Sequence, residues 1–169
     1  MQLADISRKH FALATALLLA AGGIALADMK AGDVFPDLTK YTLEGKLPDS
    51  LKDKVVLVDF WASWCIPCRD SFPAMNELQK KYADHGLVII GINVDEKRAD
   101  MDIFLKMHPA SFTVVRDASQ KLVDLTGIGT MPSSFLLDRS GKVRFLHTGY
   151  QGEPTRKEYV TEIESLLAK

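Results

Sequence analysis

The sequence predicts an α/β domain with a central mixed β-sheet and helices on both faces. Two continuous apolar and β-branched runs, 55–61 and 87–94, are each followed by a segment with helical spacing of apolar residues. Two further strand-like runs then flank a turn at 139–142, and a last helical segment follows. Alternating strands and helices predict parallel pairing, and the final hairpin adds antiparallel strands.

The elements of the first half are set by apolar spacing and by proline and glycine. Residues 32–36 and 38–41 are predicted to be extended around a turn at 44–46. The first strand, 55–61, is apolar on both faces, which predicts a position in the middle of the sheet. A helix is expected from about Cys65 to Gly86, with Pro67 in its first turn and a kink at Pro73. The predicted inward residues of this helix are Phe72, Met75, Leu78 and Tyr82.

The second half continues the alternation. The predicted elements are a strand at 87–94, a helix at 96–107, a strand at 113–116, a helix at 120–126 ended by Gly127, hairpin strands at 133–137 and 143–148, and a helix at 155–168. The 169 residues are 47% apolar and 25% charged and contain no repeat, so they suit one domain with one core.

The N-terminal segment differs from the rest of the chain. Arg8 and Lys9 precede an apolar run at 11–25, and residues 25–27 (Ala-Leu-Ala) fit a signal peptidase site. We expect a signal peptide at 1–27 that is removed, leaving a domain at 28–169 in the periplasm. The alternative is an uncleaved anchor that holds the domain on the periplasmic side, since about 17 apolar residues approach the length needed to cross a membrane.

The charge balance indicates what the protein does not bind. Twenty-one basic and 22 acidic residues give a formal net charge of −1. Because no overall field attracts polyanions, we expect no nucleic acid partner and no electrostatic binding to a membrane surface.

The chain has only two cysteines, Cys65 and Cys68. A disulfide that closes so short a loop adds little stability, which favours a redox function. On the first turn of a helix their Cα atoms fall within disulfide distance. Cys65 at the helix N-terminus is the expected nucleophile, because unpaired N–H groups and the helix dipole favour its thiolate. Cys68, one turn further in, is expected to resolve the mixed disulfide.

Metal binding is the competing use of two cysteines. Structural zinc needs four ligands, and the four histidines form no pair at ligand spacing. We therefore expect no metal or cofactor. Binding of Cu(I) by the two thiolates stays open as an alternative.

Several segments carry a resemblance to a known family. Residues 58–68 (VDFWASWCIPC) and Pro73 resemble the active-site segment of the thioredoxin superfamily. Residues 32–38 (GDVFPDL), 91–96 (GINVDE) and 130–138 (TMPSSFLLD) resemble its exported TlpA/ResA-like branch. The resemblance extends from about 32 to 167 and implies a thioredoxin fold with a short N-terminal extension.

The resemblance also implies roles for individual residues. Pro132 matches the family's cis-proline, and the backbone of Met131 before it would pair with a substrate strand; Trp64 and Pro67 beside the cysteines complete the predicted substrate-binding set. Asp59 matches a buried acid that accepts the proton of the resolving cysteine, so its pKa should be raised.

A second acid, Glu96, matches an acidic residue that ResA-like members place near the active site. Its alternative role is that of a carboxylate favoured by a helix N-terminus. ResA-like members often lack the Asp59 acid, so which of Asp59 and Glu96 serves Cys68 stays open.

The implied function is a periplasmic thiol-disulfide oxidoreductase. It would reduce disulfides in exported proteins such as apocytochrome c or copper-site assembly proteins, take electrons from a membrane thiol reductase, and act as a monomer. The alternatives are operation as a dithiol oxidase, since the residues between the cysteines do not fix the direction, and a copper metallochaperone.

Overall fold

A computed structural model describes residues 28–169 of the chain. The predicted signal peptide at 1–27 lies outside these residues. The elements are β1 (Val55–Trp61), α1 (Ile66–Tyr82), β2 (Leu87–Asn93), α2 (Arg98–Met107), β3 (Thr113–Arg116), α3 (Lys121–Thr126), β4 (Ser133–Leu137), β5 (Val143–Thr148) and α4 (Glu153–Leu167), with 3-10 helices at Leu38–Lys40 and Ala83–His85.

The strands form one five-stranded sheet in the order β3-β2-β1-β4-β5. β1 pairs parallel with β2, and β2 with β3, whereas β1–β4 and β4–β5 are antiparallel. The sheet is therefore mixed and flanked by helices, as predicted. β1 is central and all seven of its residues are buried, which confirms its predicted place.

Helix α1 and the end of the chain form a layer over the sheet. The predicted inward residues of α1 are all buried. The helix continues through Pro73 to Tyr82, and a 3-10 turn leads to Gly86 at φ 99°. That left-handed conformation suits glycine and ends the element where the sequence predicted. Tyr82 of α1 donates a hydrogen bond to Glu164 of α4, which places the two helices side by side.

The prediction of an extended segment at 38–41 was wrong over most of its length. Leu38–Lys40 is a 3-10 helix, and only the following Tyr41 has extended backbone. Asp37 caps this turn, because its carboxylate accepts hydrogen bonds from the Thr39 amide at 3.0 Å and the Thr39 hydroxyl at 2.7 Å. Leu38 is therefore buried from a 3-10 turn, and not from the extended segment that the alternation of polar and apolar residues suggested.

The last helix begins at Glu153 and buries Tyr159, Ile163 and Leu166. Gly127 at φ 68° ends α3, as predicted. Among residues 28–169, no helix combines the length and the apolar character needed to cross a membrane.

Candidate active site

Cys65 and Cys68 are joined by a disulfide at the start of α1, with their Cα atoms 5.3 Å apart. Cys65 is the N-cap of the helix, and its sulfur accepts a hydrogen bond from the Cys68 amide at 3.2 Å. Pro67 lies in the first turn, where its missing N–H costs no helical hydrogen bond. The helix N-terminus thus faces the Cys65 sulfur, which is the environment that stabilises a thiolate.

Both cysteines are buried, and only Cys65 keeps any exposure to solvent. Cys65 is 5% exposed and Cys68 is fully buried. Trp64 and Ile66, on either side of Cys65, are 71% and 63% exposed, and Pro67 is also exposed. An incoming thiolate or disulfide therefore meets Cys65 first, on a rim of apolar side chains.

The loop that carries Cys65 is fixed to the end of β2. The Asp95 carboxylate accepts hydrogen bonds from the Ser63 amide at 3.0 Å and from the Ser63 hydroxyl at 3.1 Å. Asn93 donates a further hydrogen bond to the same carboxylate at 2.8 Å. Arg116 of β3 holds this end of the sheet, because its guanidinium donates to the Asp95 carbonyl and to the Glu44 carboxylate.

Asp59 lies in the middle of β1 and is 1% exposed. Its Oδ1 accepts a hydrogen bond from the Ser134 hydroxyl at 2.7 Å, and the same hydroxyl lies 2.8 Å from the Tyr159 hydroxyl. Burial raises the pKa of Asp59 to about 7, while the Ser134 hydrogen bond acts in the opposite direction. The carboxyl group can therefore exchange a proton near neutral pH, as expected from the sequence.

Met131 and Pro132 precede β4 at the end of the sheet that carries the cysteines. Ser133, the first residue of β4, pairs with Phe60 near the end of β1. The Met131–Pro132 peptide is cis, as the resemblance predicted. Pro132 is buried and Met131 is half-buried. The predicted substrate-binding residues thus lie at the same end of the sheet.

Glu96 follows β2 at the same end of the sheet. Its side chain is exposed, and among residues 28–169 its carboxylate makes no hydrogen bond or ion pair. Its carbonyl group accepts a hydrogen bond from Arg116 at 2.9 Å. A role for the Glu96 carboxylate stays a prediction.

Sequence reasoning missed Asp95, Ser134 and Tyr159. Asp95 carries a local signal, because a carboxylate directly after a buried strand is well placed to hold the adjacent loop. Ser134 is a polar residue inside an apolar strand, which marks it only as a buried group in need of a partner. Tyr159 lies in the predicted last helix, and the sequence gives no sign of what its hydroxyl contacts.

The arrangement supports thiol-disulfide exchange. A disulfide at a helix N-terminus and a buried acid of raised pKa are the groups that this chemistry uses. Among residues 28–169, no three His, Cys, Asp or Glu side chains cluster as metal ligands.

The chain matches known proteins over most of its length. The Redoxin family model matches residues 30–163. The thiol-disulfide oxidoreductase ResA of Bacillus thuringiensis (strain Al Hakam) is 36% identical over 137 residues, covering 80% of this chain and 79% of the relative.

Two solved structures share the fold. A candidate thiol:disulfide interchange protein DsbE from Chlorobium tepidum is 39% identical with a TM-score of 0.76, covering 83% of this chain and 99% of its own. A candidate protein disulfide isomerase from Bacteroides thetaiotaomicron is 27% identical with a TM-score of 0.72, covering 83% and 91%. Since the family model spans both cysteines and the sheet behind them, the chain belongs to the redoxin family as a ResA-like protein-disulfide oxidoreductase with a thioredoxin fold.

Proposed function

We propose that the chain is exported to the periplasm and reduces disulfides in other exported proteins. The observation that carries this proposal is the position of the Cys65–Cys68 disulfide at the N-terminus of α1, with Cys65 between two exposed apolar side chains. Cys65 is 5% exposed and lies between the exposed Trp64 and Ile66, so a protein disulfide would approach it before Cys68. Cys68 is fully buried and would attack the Cys65 sulfur once that sulfur is joined to the substrate. Export is supported by the predicted signal peptide at 1–27.

The first step is attack by Cys65. In the reduced protein its thiolate attacks one sulfur of the substrate disulfide, a mixed disulfide forms, and the first substrate thiolate leaves and takes a proton from water. The N-terminus of α1 stabilises the Cys65 thiolate before the attack.

The second step is resolution by Cys68. Its thiol gives a proton to Asp59, and the Cys68 thiolate then attacks the Cys65 sulfur. The Cys65–Cys68 disulfide forms and the second substrate thiolate leaves, so two electrons pass to the substrate. In the oxidised protein Cys68 has no S–H to donate, and a hydrogen bond from Cys68 to Asp59 is expected only after reduction. Glu96 is the alternative proton acceptor.

Substrate binding is assigned to the apolar rim and the adjacent loop. Trp64 and Pro67 would contact the substrate side chains, while the backbone of Met131, held by Pro132, would pair with an extended substrate strand. The proposed substrates are apocytochrome c or the cysteines of a copper-site assembly protein, and the proposed donor is a membrane thiol reductase. These assignments rest on the family resemblance, as does the expectation of a monomer.

The reduction potential of the cysteine pair tests the direction of electron flow. Equilibration with glutathione or dithiothreitol, followed by thiol trapping, is expected to give a value near or below about −220 mV. A value near about −120 mV would make the protein an oxidant.

We also expect the protein to catalyse the reduction of insulin by dithiothreitol, and Cys65→Ser to abolish this activity. Stoichiometric Cu(I) binding with little turnover would instead indicate a copper carrier.

A further inference from the structure

Three polar side chains meet inside the core behind the active site. Asp59 of β1 and Ser134 of β4 are register partners in the antiparallel pair, so their side chains project to the same face of the sheet. Tyr159 of α4 reaches this face from above. All three residues are buried. Neither serine nor tyrosine has a part in the two exchange steps, and yet both touch the hydrogen-bond network of Asp59.

The number of hydrogens fixes the direction of this network. An ionised carboxylate only accepts hydrogen bonds, so the single hydrogen of the Ser134 hydroxyl points to Asp59 Oδ1 at 2.7 Å. The Ser134 oxygen must then accept from the Tyr159 hydroxyl at 2.8 Å. Among residues 28–169 the Tyr159 hydroxyl has no other acceptor. Both hydroxyl hydrogens therefore point toward Asp59.

A proton placed on Oδ1 would reverse this chain. The Ser134 hydrogen would turn to Tyr159, and the Tyr159 hydrogen would lose its acceptor in the core, which is unfavourable. A proton placed on Oδ2 leaves both hydrogen bonds intact. The hydrogen-bond chain thus favours protonation of Asp59 at Oδ2 over protonation at Oδ1.

We propose that Ser134 and Tyr159 are positioning residues that occupy Oδ1 of Asp59 and reserve Oδ2 for proton exchange during the Cys68 step. The link to Cys68 rests on the proposed function, but the hydrogen-bond chain itself does not. Loss of the Ser134 hydroxyl should make the ionised form of Asp59 less favourable, because the carboxylate loses a hydrogen-bond donor. Loss of the Tyr159 hydroxyl should have a smaller effect in the same direction, because the Ser134 hydroxyl loses the hydrogen bond that polarises it.

Other titratable groups near this face must be followed separately. His147 of β5 is the register partner of Ser134, and its ring contacts the Tyr159 ring at 4.6 Å between centroids. Its Nε2 lies 2.7 Å from Glu162 Oε2 of α4, and its Nδ1 lies 3.5 Å from Glu158 Oε2 of the same helix. On α1 the group that the proposed function invokes is Cys68, which carries no proton in the oxidised protein.

The direct test is a carbon NMR titration of oxidised protein labelled at the aspartate side-chain carboxyls. The Asp59 signal is identified by its loss in Asp59→Asn, and His147 is followed at its own ring carbons. We expect Ser134→Ala to lower the acid dissociation constant of Asp59 about tenfold, the effect of one hydrogen bond to a charged group. Tyr159→Phe should lower it about threefold.

The double variant and matched controls show whether Ser134 and Tyr159 act on Asp59 as one hydrogen-bond chain or independently of each other. If Tyr159 acts only through Ser134, the double variant should titrate like Ser134→Ala alone. Thr126→Val and Tyr82→Phe each remove a hydrogen-bonded hydroxyl elsewhere and should leave Asp59 unchanged. Ser134→Thr keeps the hydroxyl and should restore the titration. An unchanged Asp59 in both single variants, or additive effects in the double variant, would overturn the proposal.

The catalytic consequence is read from the pH profile of Cys68 attack. A mixed disulfide of Cys65 with 5-thio-2-nitrobenzoate releases a coloured thiol when Cys68 attacks, and the midpoint of this rate should move upward in Ser134→Ala together with the Asp59 titration. A profile that stays in place while the carbon titration moves would refute the link to Cys68. If Asp59→Asn keeps the pH profile of the natural protein, Asp59 is not the proton acceptor in the proposed function. The carbon titration still tests whether Ser134 and Tyr159 form a hydrogen-bond chain to Asp59. Should Ser134→Ala not fold, Tyr159→Phe, which keeps the ring, carries the same test.

Discussion

The Asp95 carboxylate bridges from the end of β2 to Ser63, accepting hydrogen bonds from the Ser63 amide at 3.0 Å and its hydroxyl at 3.1 Å. Ser63 is two residues ahead of Cys65, so this contact connects the sheet directly to the loop that presents the nucleophile. The connection is short and buried on the Asp95 side. A catalytic sulfur needs such support, because small displacements of a reacting group reduce rate strongly.

Asp95→Ala should therefore lower both stability and turnover. The substitution leaves the Ser63 amide and the Asn93 side chain without their acceptor, at an expected cost of about 1–3 kcal/mol in the free energy of unfolding. Urea unfolding measures this cost, and insulin reduction measured well below the unfolding transition gives the turnover. Asp100→Asn, at an exposed aspartate in the first turn of α2, is the control; it should cost less than about 1 kcal/mol, the size of a helix-dipole interaction, and leave turnover unchanged. Full turnover in folded Asp95→Ala would show that Cys65 does not need this support.

Much of the fold follows from local sequence patterns, and its exceptions have physical reasons. The apolar run at 55–61 predicted β1 and its central place, because only a strand covered on both faces is so uniformly apolar. Residues 38–40 were misassigned because the cap formed by Asp37 outweighs a short alternation of polar and apolar residues.

The active site likewise contains some features that local sequence predicts and others that depend on tertiary packing. Cys65 and Cys68 are neighbours in sequence, so spacing alone predicted their geometry. Ser134 is 75 positions from Asp59, and its contact depends on the register of β1 with β4. Tyr159 further requires the placement of α4 over the sheet. Contacts of this kind come from tertiary packing, and no single segment of the chain encodes them.

The exposed Trp64 provides a test of the substrate surface. Because its side chain packs little against the protein, Trp64→Ala should change the free energy of unfolding by no more than about 0.5 kcal/mol. If the ring contacts polypeptide substrates, KM for insulin should rise several-fold, while reduction of a small disulfide such as 5,5′-dithiobis(2-nitrobenzoate) stays nearly unchanged. Leu146→Ala, at an exposed apolar residue of β5, is the matched control. Equal losses with both substrates would place Trp64 in the chemistry of Cys65 rather than in substrate binding.

The buried carboxyl of Asp59 makes a distinct prediction for stability. Its pKa is raised by burial from an ordinary 3.8 to about 7, so between these values the folded state keeps a proton that the unfolded state has lost. Stability attributable to this group is fully present below about pH 4, falls as pH rises to about 7, and is constant above that. The difference corresponds to about 4 kcal/mol at most, from 1.36 kcal/mol per pKa unit.

Asp59→Asn removes this dependence, because the amide stays neutral and its carbonyl oxygen can still accept the Ser134 hydrogen bond. Urea unfolding of the oxidised proteins from pH 4 to pH 8.5 should show the variant gaining on the natural chain as pH rises, and exceeding it in stability above about pH 7. Contributions from other titrating groups are common to both proteins and cancel in the difference. A stability difference between Asp59→Asn and the natural chain that does not vary with pH would mean that Asp59 is not held neutral by burial, and the proton acceptor for Cys68 would then have to be sought at Glu96.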